Sequence, residues 1–140
     1  MPISRAVRTV SLPMERGTFF SDVALDKSGN AFVLDSIGRR VFVAKSDATT
    51  AVPFGPSLVS DLDFATSLAV DNAGHVLVAD QSGGGVVVLA ADGTFAGRQS
   101  GLGWKEGLLR YPSSMVVEPT GRLFIADRGN NRVAVFGLAQ

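Results

Sequence analysis

Three acidic residues recur at a fixed distance after a glycine, and their carboxylates are the first groups in the chain that could do chemistry. They are Asp35, Asp80 and Asp127, each six residues after the glycine of its repeat, at Gly29, Gly74 and Gly121. A set of repeated acids could bind cations, but such carboxylates also accept backbone N–H groups of the turn that follows them. Because one acid per repeat is more than a single active site needs, we interpret these six residues as structural.

One further acid breaks the repeat. Asp22 stands where the other two repeats have Ser67 and Ser114. If these positions line a central channel, two copies of Asp22 facing each other could bind Ca²⁺ or a similar hard cation. We favour the alternative, in which Asp22, Ser67 and Ser114 form a hydrated polar lining and no cofactor is bound.

The longest connection, residues 101–112, holds the only tryptophan and the only tyrosine of the chain. Aromatic and arginine side chains are favoured anchors of interfaces, so the connection is a candidate binding surface. Its candidate residues are Trp104, Lys105, Arg110 and Tyr111. The alternative is that the aromatic side chains pack over a neighbouring repeat. Arg39 and Arg40 form a small basic turn that we place on the same face.

Composition excludes several classes of site. Thirteen basic residues balance thirteen acidic ones in 140 residues, so we expect no nucleic acid partner. The absence of cysteine excludes disulfides and thiolate metal sites. His75, the single histidine, follows a turn glycine where the other repeats have Asn30 and Arg122, and we interpret it as an exposed turn residue. The first twelve residues lack a signal-peptide pattern and no apolar run reaches membrane-spanning length, which favours a soluble, cytoplasmic protein without a membrane partner.

The spacing of the glycines and acids shows an internal repeat with periods of 45 and 47 residues. Each repeat contains three short apolar runs separated by a glycine turn and a polar turn. A weaker fourth run follows at residues 51–54 in the first repeat and at 94–96 in the second. Continuous apolar runs of this length predict strands that are buried on both faces. Four antiparallel strands in every repeat predict an all-β fold built of propeller blades.

The amino-acid sequence of the repeat resembles that of the NHL family. The third repeat fits most fully, with an apolar strand ending in Ala126-Asp127 and then Asn-Arg-Val at 131–133. The first two repeats differ in the polar turn, and the third has Glu118-Pro119 where Asp is expected. The resemblance covers roughly residues 20–136 and implies six-bladed rings. Such proteins mostly serve as platforms for protein or ligand recognition, whereas some related propellers are metal-dependent lyases or lactonases.

Three blades of four strands are half of such a ring, and they would leave two apolar flanks exposed. We divide the chain into an outer strand within residues 1–18 that completes a partner's last blade, a first blade at 19–62, a second at 63–108, and a third at 109–140 that lacks its outer strand. These bounds predict a homodimer that closes a six-bladed propeller. The alternative is that the chain is a fragment of a larger protein.

The sequence therefore predicts a non-enzymatic scaffold that homodimerises and presents a binding face to a protein or a small molecule. The alternative is a metal-dependent lyase or lactonase of the propeller type, or a fragment of one. With a single histidine and no asymmetric cluster of acids, the chain offers no evident catalytic constellation.

Overall fold

The computed structural model describes residues 7–137, which form an all-β fold. It contains eleven strands and one short 3₁₀ turn at Arg128–Asn130. The strands are β1 Phe20–Leu25, β2 Ala31–Asp35, β3 Arg40–Ala44, β4 Val52–Pro53, β5 Ala65–Val70, β6 Val76–Asp80, β7 Val86–Leu89, β8 Phe95–Gln99, β9 Pro112–Val117, β10 Arg122–Asp127 and β11 Arg132–Gly137.

The strands form three antiparallel sheets in chain order. The first sheet is β1-β2-β3-β4, the second is β5-β6-β7-β8, and the third, within the described residues, is β9-β10-β11. The first strands of the sheets, β1, β5 and β9, lie side by side, so the sheets are arranged like sectors around an axis. The fourth strands that the sequence predicts are present, although β4 comprises only Val52–Pro53. Pro53 lies at the edge of its sheet, where its missing N–H breaks no ladder.

Each hairpin between the first and second strands turns at a glycine in the left-handed region. These are Gly29, Gly74 and Gly121, with φ of 82°, 91° and 97°. An acid three residues earlier caps each turn by accepting its N–H groups, as Asp26 does from Asn30 at 2.9 Å. Glu118 plays this part in the third sheet despite its longer side chain. The Thr120 hydroxyl and the Arg122 guanidinium lower the pKa of Glu118 to about 2.

The core lies between the sheets rather than within any one of them. One cluster joins the first and second sheets and includes Leu34, Val41, Leu68, Val76 and Val78. A second joins the second and third sheets and is built from the residues that follow: Ala69, Leu77, Ala79, Val86, Leu109, Met115, Leu123 and Ile125. Each sheet is therefore stabilised by burying apolar side chains against a neighbouring sheet.

Burial on both faces, which the apolar runs predict, holds in the central sheet and in β3 of the first sheet. All five residues of β6, in the central sheet, are buried. In β1 and β11, alternate residues are exposed instead. The prediction is wrong for these two strands because the outward flanks of the first and third sheets have no neighbouring sheet among the described residues.

The segment before β1 lies along the first sheet of its own chain. The N–H of Ser11 donates to the Thr49 carbonyl, and the N–H of Ala51 donates to the Ser11 carbonyl, both at 2.9 Å. Val10 and Leu12 pack on the outward flank of this sheet beside Phe42. An outer strand is predicted within residues 1–18. Residues 7–10 form no strand in the structure, and residues 1–6 lie outside the described part of the chain.

No helix within residues 7–137 has the length and apolar character needed to cross a membrane.

If the core lies between the sheets, truncating a side chain at that contact must destabilise the whole fold. We expect Leu34→Ala, at a fully buried position, to lower the free energy of unfolding by about 2–5 kcal/mol in urea denaturation. The control is Ile37→Ala, whose side chain is exposed three residues later, and it should change that free energy by less than about 0.5 kcal/mol. Equal effects of the two substitutions would contradict this account of the core.

Candidate functional site

The molecule has two unlike faces at the opposite ends of its strands. One end carries the turns between the second and third strands and the long connections that lead into β1, β5 and β9. We call it the connection face, and it comprises residues 13–19, 36–39, 54–64, 81–85, 100–111 and 128–131. The other end carries the glycine turns that follow β1, β5 and β9 and the hairpins after β3 and β7.

Many large exposed apolar side chains lie on the connection face. They are eight of the sixteen among the described residues: Met14, Phe19, Ile37, Val59, Phe64, Leu102, Trp104 and Tyr111. Among the described residues, the turns at the opposite end contain none of this kind; they expose polar groups such as Lys27, Asp47 and Thr120. Singly exposed apolar side chains are ordinary, but eight of them on one face are typical of an interaction surface.

Three buried carboxylates hold the connections against the sheets. The N–H groups of Phe19 and Phe64 donate to Asp35 and Asp80 at 2.9 Å. In the third sheet, the N–H of Arg110 donates to Asp127 at 2.6 Å.

The same carboxylates also bind the turn that follows each second strand. The N–H groups of Gly38 and Gly83 reach Asp35 and Asp80 at 2.8 and 3.1 Å. At Gly38 a Cβ would come within 2.2 Å of the Asp35 carboxylate, so this position requires glycine.

Arginine side chains extend two of these anchors. The Arg132 guanidinium binds Asp127 at 2.9 Å and donates to three carbonyls of the long connection, those of Trp104, Lys105 and Leu108. Arg98 binds Asp80 at 3.0 Å in the second sheet. Neither arginine is among the site residues that the sequence predicts. The Asn-Arg-Val motif signalled Arg132, whereas no local pattern marks Arg98, which reaches Asp80 from the outer strand.

The backbone of the long connection is consequently held by hydrogen bonds, while its aromatic side chains stay exposed. The exposed fraction is 68% for Trp104 and 48% for Tyr111. Leu109 of this connection is fully buried between the second and third sheets and so holds the connection against the core. Lys105 and Arg110 are also exposed, so the structure brings the four candidates of this connection to one face.

The two arginines of the predicted basic turn separate. Arg39 has a φ of 55° and donates to the Val59 carbonyl at 3.3 Å, so it lies on the connection face. Arg40 instead lies over the ring of Phe42, at 5.5 Å from its centroid. Its Nε is buried without a hydrogen-bond partner within the described residues. Arg40 thus belongs to the outward flank of the first sheet.

The candidate channel residues form a hydrogen-bonded ladder across the first strands. Asp22 accepts from the Ser67 hydroxyl at 2.8 Å and from the Leu68 N–H at 2.9 Å, and Ser67 accepts from the Met115 N–H at 3.1 Å. Ser114 occupies the next position of this ladder and is exposed. These strands border a cleft of about 240 Å³. Since one Asp22 oxygen already serves the second sheet, the ladder gives this acid a structural use.

His75 is half exposed in the glycine turn after β5, and its Nδ1 lies 2.9 Å from Asp71. Asn30 makes the matching contact with Asp26 at 2.8 Å. Within residues 7–137, no three His, Cys, Asp or Glu residues are grouped so that they could hold a metal ion.

Comparison with known sequences identifies the third repeat. The family profile of the NHL repeat matches residues 109–136, which comprise most of the third sheet and the segment that enters it. Residues 109–136 are therefore an NHL repeat. No curated protein matches the chain in sequence.

Solved structures share the propeller-like fold. A catalytically inactive virginiamycin B lyase from Staphylococcus aureus aligns with a TM-score of 0.65 at 12% identity, over 90% of this chain and 43% of its own. A gluconolactonase from Xanthomonas campestris aligns with a TM-score of 0.58 at 20% identity, over 79% and 35%. A chain of a nidogen/laminin complex aligns with a TM-score of 0.64 at 16% identity, over 85% and 48%. This chain spans less than half the length of each.

The anchoring of the connections makes stability depend on pH through Asp80. Burial raises the pKa of this carboxyl group, but three backbone N–H donors and Arg98 outweigh burial and hold its pKa below the usual value of 3.8. Its stabilising effect is therefore complete above about pH 5 and is lost as the pH falls through the lowered pKa of the folded state. We expect Asp80→Asn to lower the free energy of unfolding at pH 7 by about 1–3 kcal/mol.

The difference between wild type and Asp80→Asn should shrink as the pH falls from about 5 to 2, in urea titrations at each pH. Asp47→Asn, at an exposed acid on the opposite face, is the matched control and should follow the wild type at every pH. A constant difference across this range would show that the carboxylate charge is not what stabilises the connections.

Proposed function

We propose that the chain is a non-enzymatic binding scaffold that presents its connection face to a protein or peptide. The observation that carries the proposal is the group of eight exposed aromatic and aliphatic side chains on that face. Anchored carbonyls and N–H groups hold the backbone beneath Trp104 and Tyr111, so little conformational entropy is lost when a partner binds there. The resemblance to a chain of a nidogen/laminin complex is compatible with such a role.

We further propose that the scaffold acts as a ring of two copies. The third sheet exposes Val116, Val133 and Val135 on its outward flank, and the first sheet exposes Val23 and Leu25 on the opposite one. Two contiguous apolar flanks on one small domain strongly favour association. Balanced charge means that two copies do not repel one another.

The repeat supports a second copy as the occupant of these flanks. Val41 and Val86 occupy the repeat position of Val133, twelve residues after the turn glycine. In the first and second sheets this side chain is 1% and 4% exposed, because the following sheet covers it, whereas Val133 is 64% exposed. A first sheet from another copy would offer Val133 the same kind of surface that covers Val41 and Val86.

A metal-dependent lyase or lactonase remains the alternative function, since a lyase and a gluconolactonase share the fold. Fold similarity at such low identity does not extend to activity. Elemental analysis of the purified protein separates the two functions: stoichiometric, tightly held calcium or zinc would favour the enzyme over the scaffold.

Ring formation predicts a mass in solution of twice 14.6 kDa, measured by analytical ultracentrifugation. We expect Val133→Asp to convert the dimer to a folded monomer, because the aspartate would be buried without a partner in the junction. Val59→Asp, at a similarly exposed valine on the connection face, should leave the dimer intact. A wild-type protein that is monodisperse at 14.6 kDa would overturn the ring.

Binding by the connection face can be tested with a random peptide library displayed on phage. We expect enriched peptides to lose about 30-fold or more in affinity when Trp104 is replaced by alanine, since exposed tryptophans on rigid surfaces are typical hot spots. His75→Ala, on the opposite face, is the control and should not change the affinity. Enriched peptides whose affinity is unchanged by both Trp104→Ala and Tyr111→Ala would contradict the proposal, as would the absence of any enriched peptide.

A further inference from the structure

We infer that residues Val7–Val10 of one copy form an outer strand on the third sheet of the other copy. This inference rests on the proposed ring and deepens it by naming the exchanged segment and its register. Three features carry it: the path of the segment, the open edge of β11, and the unfinished ladder at Ser114.

The segment before β1 follows the path that the connection after β4 follows one sheet later. Ser11 passes the outer hairpin of the first sheet, bonded to Thr49 and Ala51. Gly55 passes the outer hairpin of the second sheet so closely that a Cβ would come within 2.5 Å of Gly93. Each segment therefore passes along the outer hairpin of the sheet that follows it, next to the position of the preceding sheet's outer strand.

Both segments also pack two apolar side chains against a sheet. Val10 and Leu12 pack on the outward flank of the first sheet. Phe54 and Leu58 pack in the cluster between the first and second sheets. In the second case the residues just before Phe54 are β4, the outer strand of the preceding sheet. Val7–Thr9 therefore stand where an outer strand of a preceding sheet belongs, and Val7 is 85% exposed.

The receiving edge is β11. The third strands β3 and β7 pair with outer strands on their free side, whereas β11 pairs only with β10 within the described residues. An open edge of this kind can accept an extended segment by β-augmentation.

The register is taken from the first sheet, because the connection after β8 is two residues longer than the one after β4 and shifts the second sheet's pairs, such as Val88 with Gly97, by two positions. Val43 pairs with Val52 in the first sheet. Val135 holds the position of Val43, because each lies 14 residues after the turn glycine of its sheet. Val7 holds the position of Val52, because each lies 22 residues before the turn glycine of the following sheet. Val7 of one copy is therefore opposite Val135 of the other.

The ladder of the first strands has an unused step at the same junction. Asp22 and Ser67 each accept the N–H of a residue in the next sheet, Leu68 and Met115. The corresponding donor for Ser114 is Val23 of a second copy. Within one chain, Val23 donates to its own Asp22 at 2.9 Å. Closing the junction would place the Ser114 hydroxyl beside both Val23 and Asp22 of the second copy.

The exchange can be tested by disulfide trapping, because the chain has no cysteine of its own. Val7→Cys and Val135→Cys are prepared as separate proteins, mixed, oxidised and examined on non-reducing gels. Since opposed residues of an antiparallel pair satisfy disulfide geometry, we expect a mixed disulfide dimer at least about tenfold more abundant than with Val133→Cys as the second protein. The matched positive control is the double variant Val43→Cys/Val52→Cys, which should cross-link within one chain.

The outcomes separate the exchange from the ring. A wild-type dimer whose variants give no Val7–Val135 disulfide would overturn the exchange and leave the proposed ring standing. A monomer without the mixed disulfide would overturn both. Ser114→Ala provides a second readout: it should raise the dimer dissociation constant about tenfold, because each ring contains the contact twice. Ser67→Ala removes the equivalent contact inside one chain. It should lower the unfolding midpoint without a comparable change in the dimer dissociation constant. Equal dissociation constants for Ser114→Ala and wild type would overturn the ladder contact.

Discussion

The structure depends on one constraint: every sheet is apolar on both faces and must be covered on both. The second sheet meets this condition within the chain, and all of β6 is buried as a result. The third sheet meets it on one side only, and the outward flank of the first sheet is covered only where Val10 and Leu12 pack, so β1 and β11 expose alternate residues. Since apolar burial between sheets is the main source of stability here, the uncovered flanks also determine how the molecule associates.

The same stacking creates the candidate binding surface. Consecutive sheets are joined by long connections that must cross from an outer to an inner strand at one end of the molecule. Asp35, Asp80 and Asp127 bind the N–H groups of these connections, and Arg98 and Arg132 bind their carbonyls. With its backbone groups satisfied, each connection can leave apolar side chains in solvent without losing its conformation. The repeated acids thus support the surface without forming part of it.

The candidate site was only partly predictable from the sequence. Trp104 and Tyr111 could be identified from the sequence, because they are the only tryptophan and tyrosine of a repetitive chain and both lie in residues 101–112. Phe19 and Phe64 escaped notice because a phenylalanine before a strand resembles a core residue. The neighbours Arg39 and Arg40 look alike in sequence, yet one faces the connections and the other lies over Phe42. Adjacent residues at the start of a strand point in opposite directions, and which direction is solvent depends on neighbouring sheets.

The sequence by itself determined the repeat, its hairpins and the propeller-like all-β fold, because glycine turns, capping acids and short apolar runs act over a few residues. The tertiary structure decided which faces of those strands are buried, where the arginines find their carbonyls, and that Val10 and Leu12 pack on the first sheet. These features depend on groups brought together from different repeats. A periodic sequence specifies each unit in the same way, whereas burial depends on which units have neighbours.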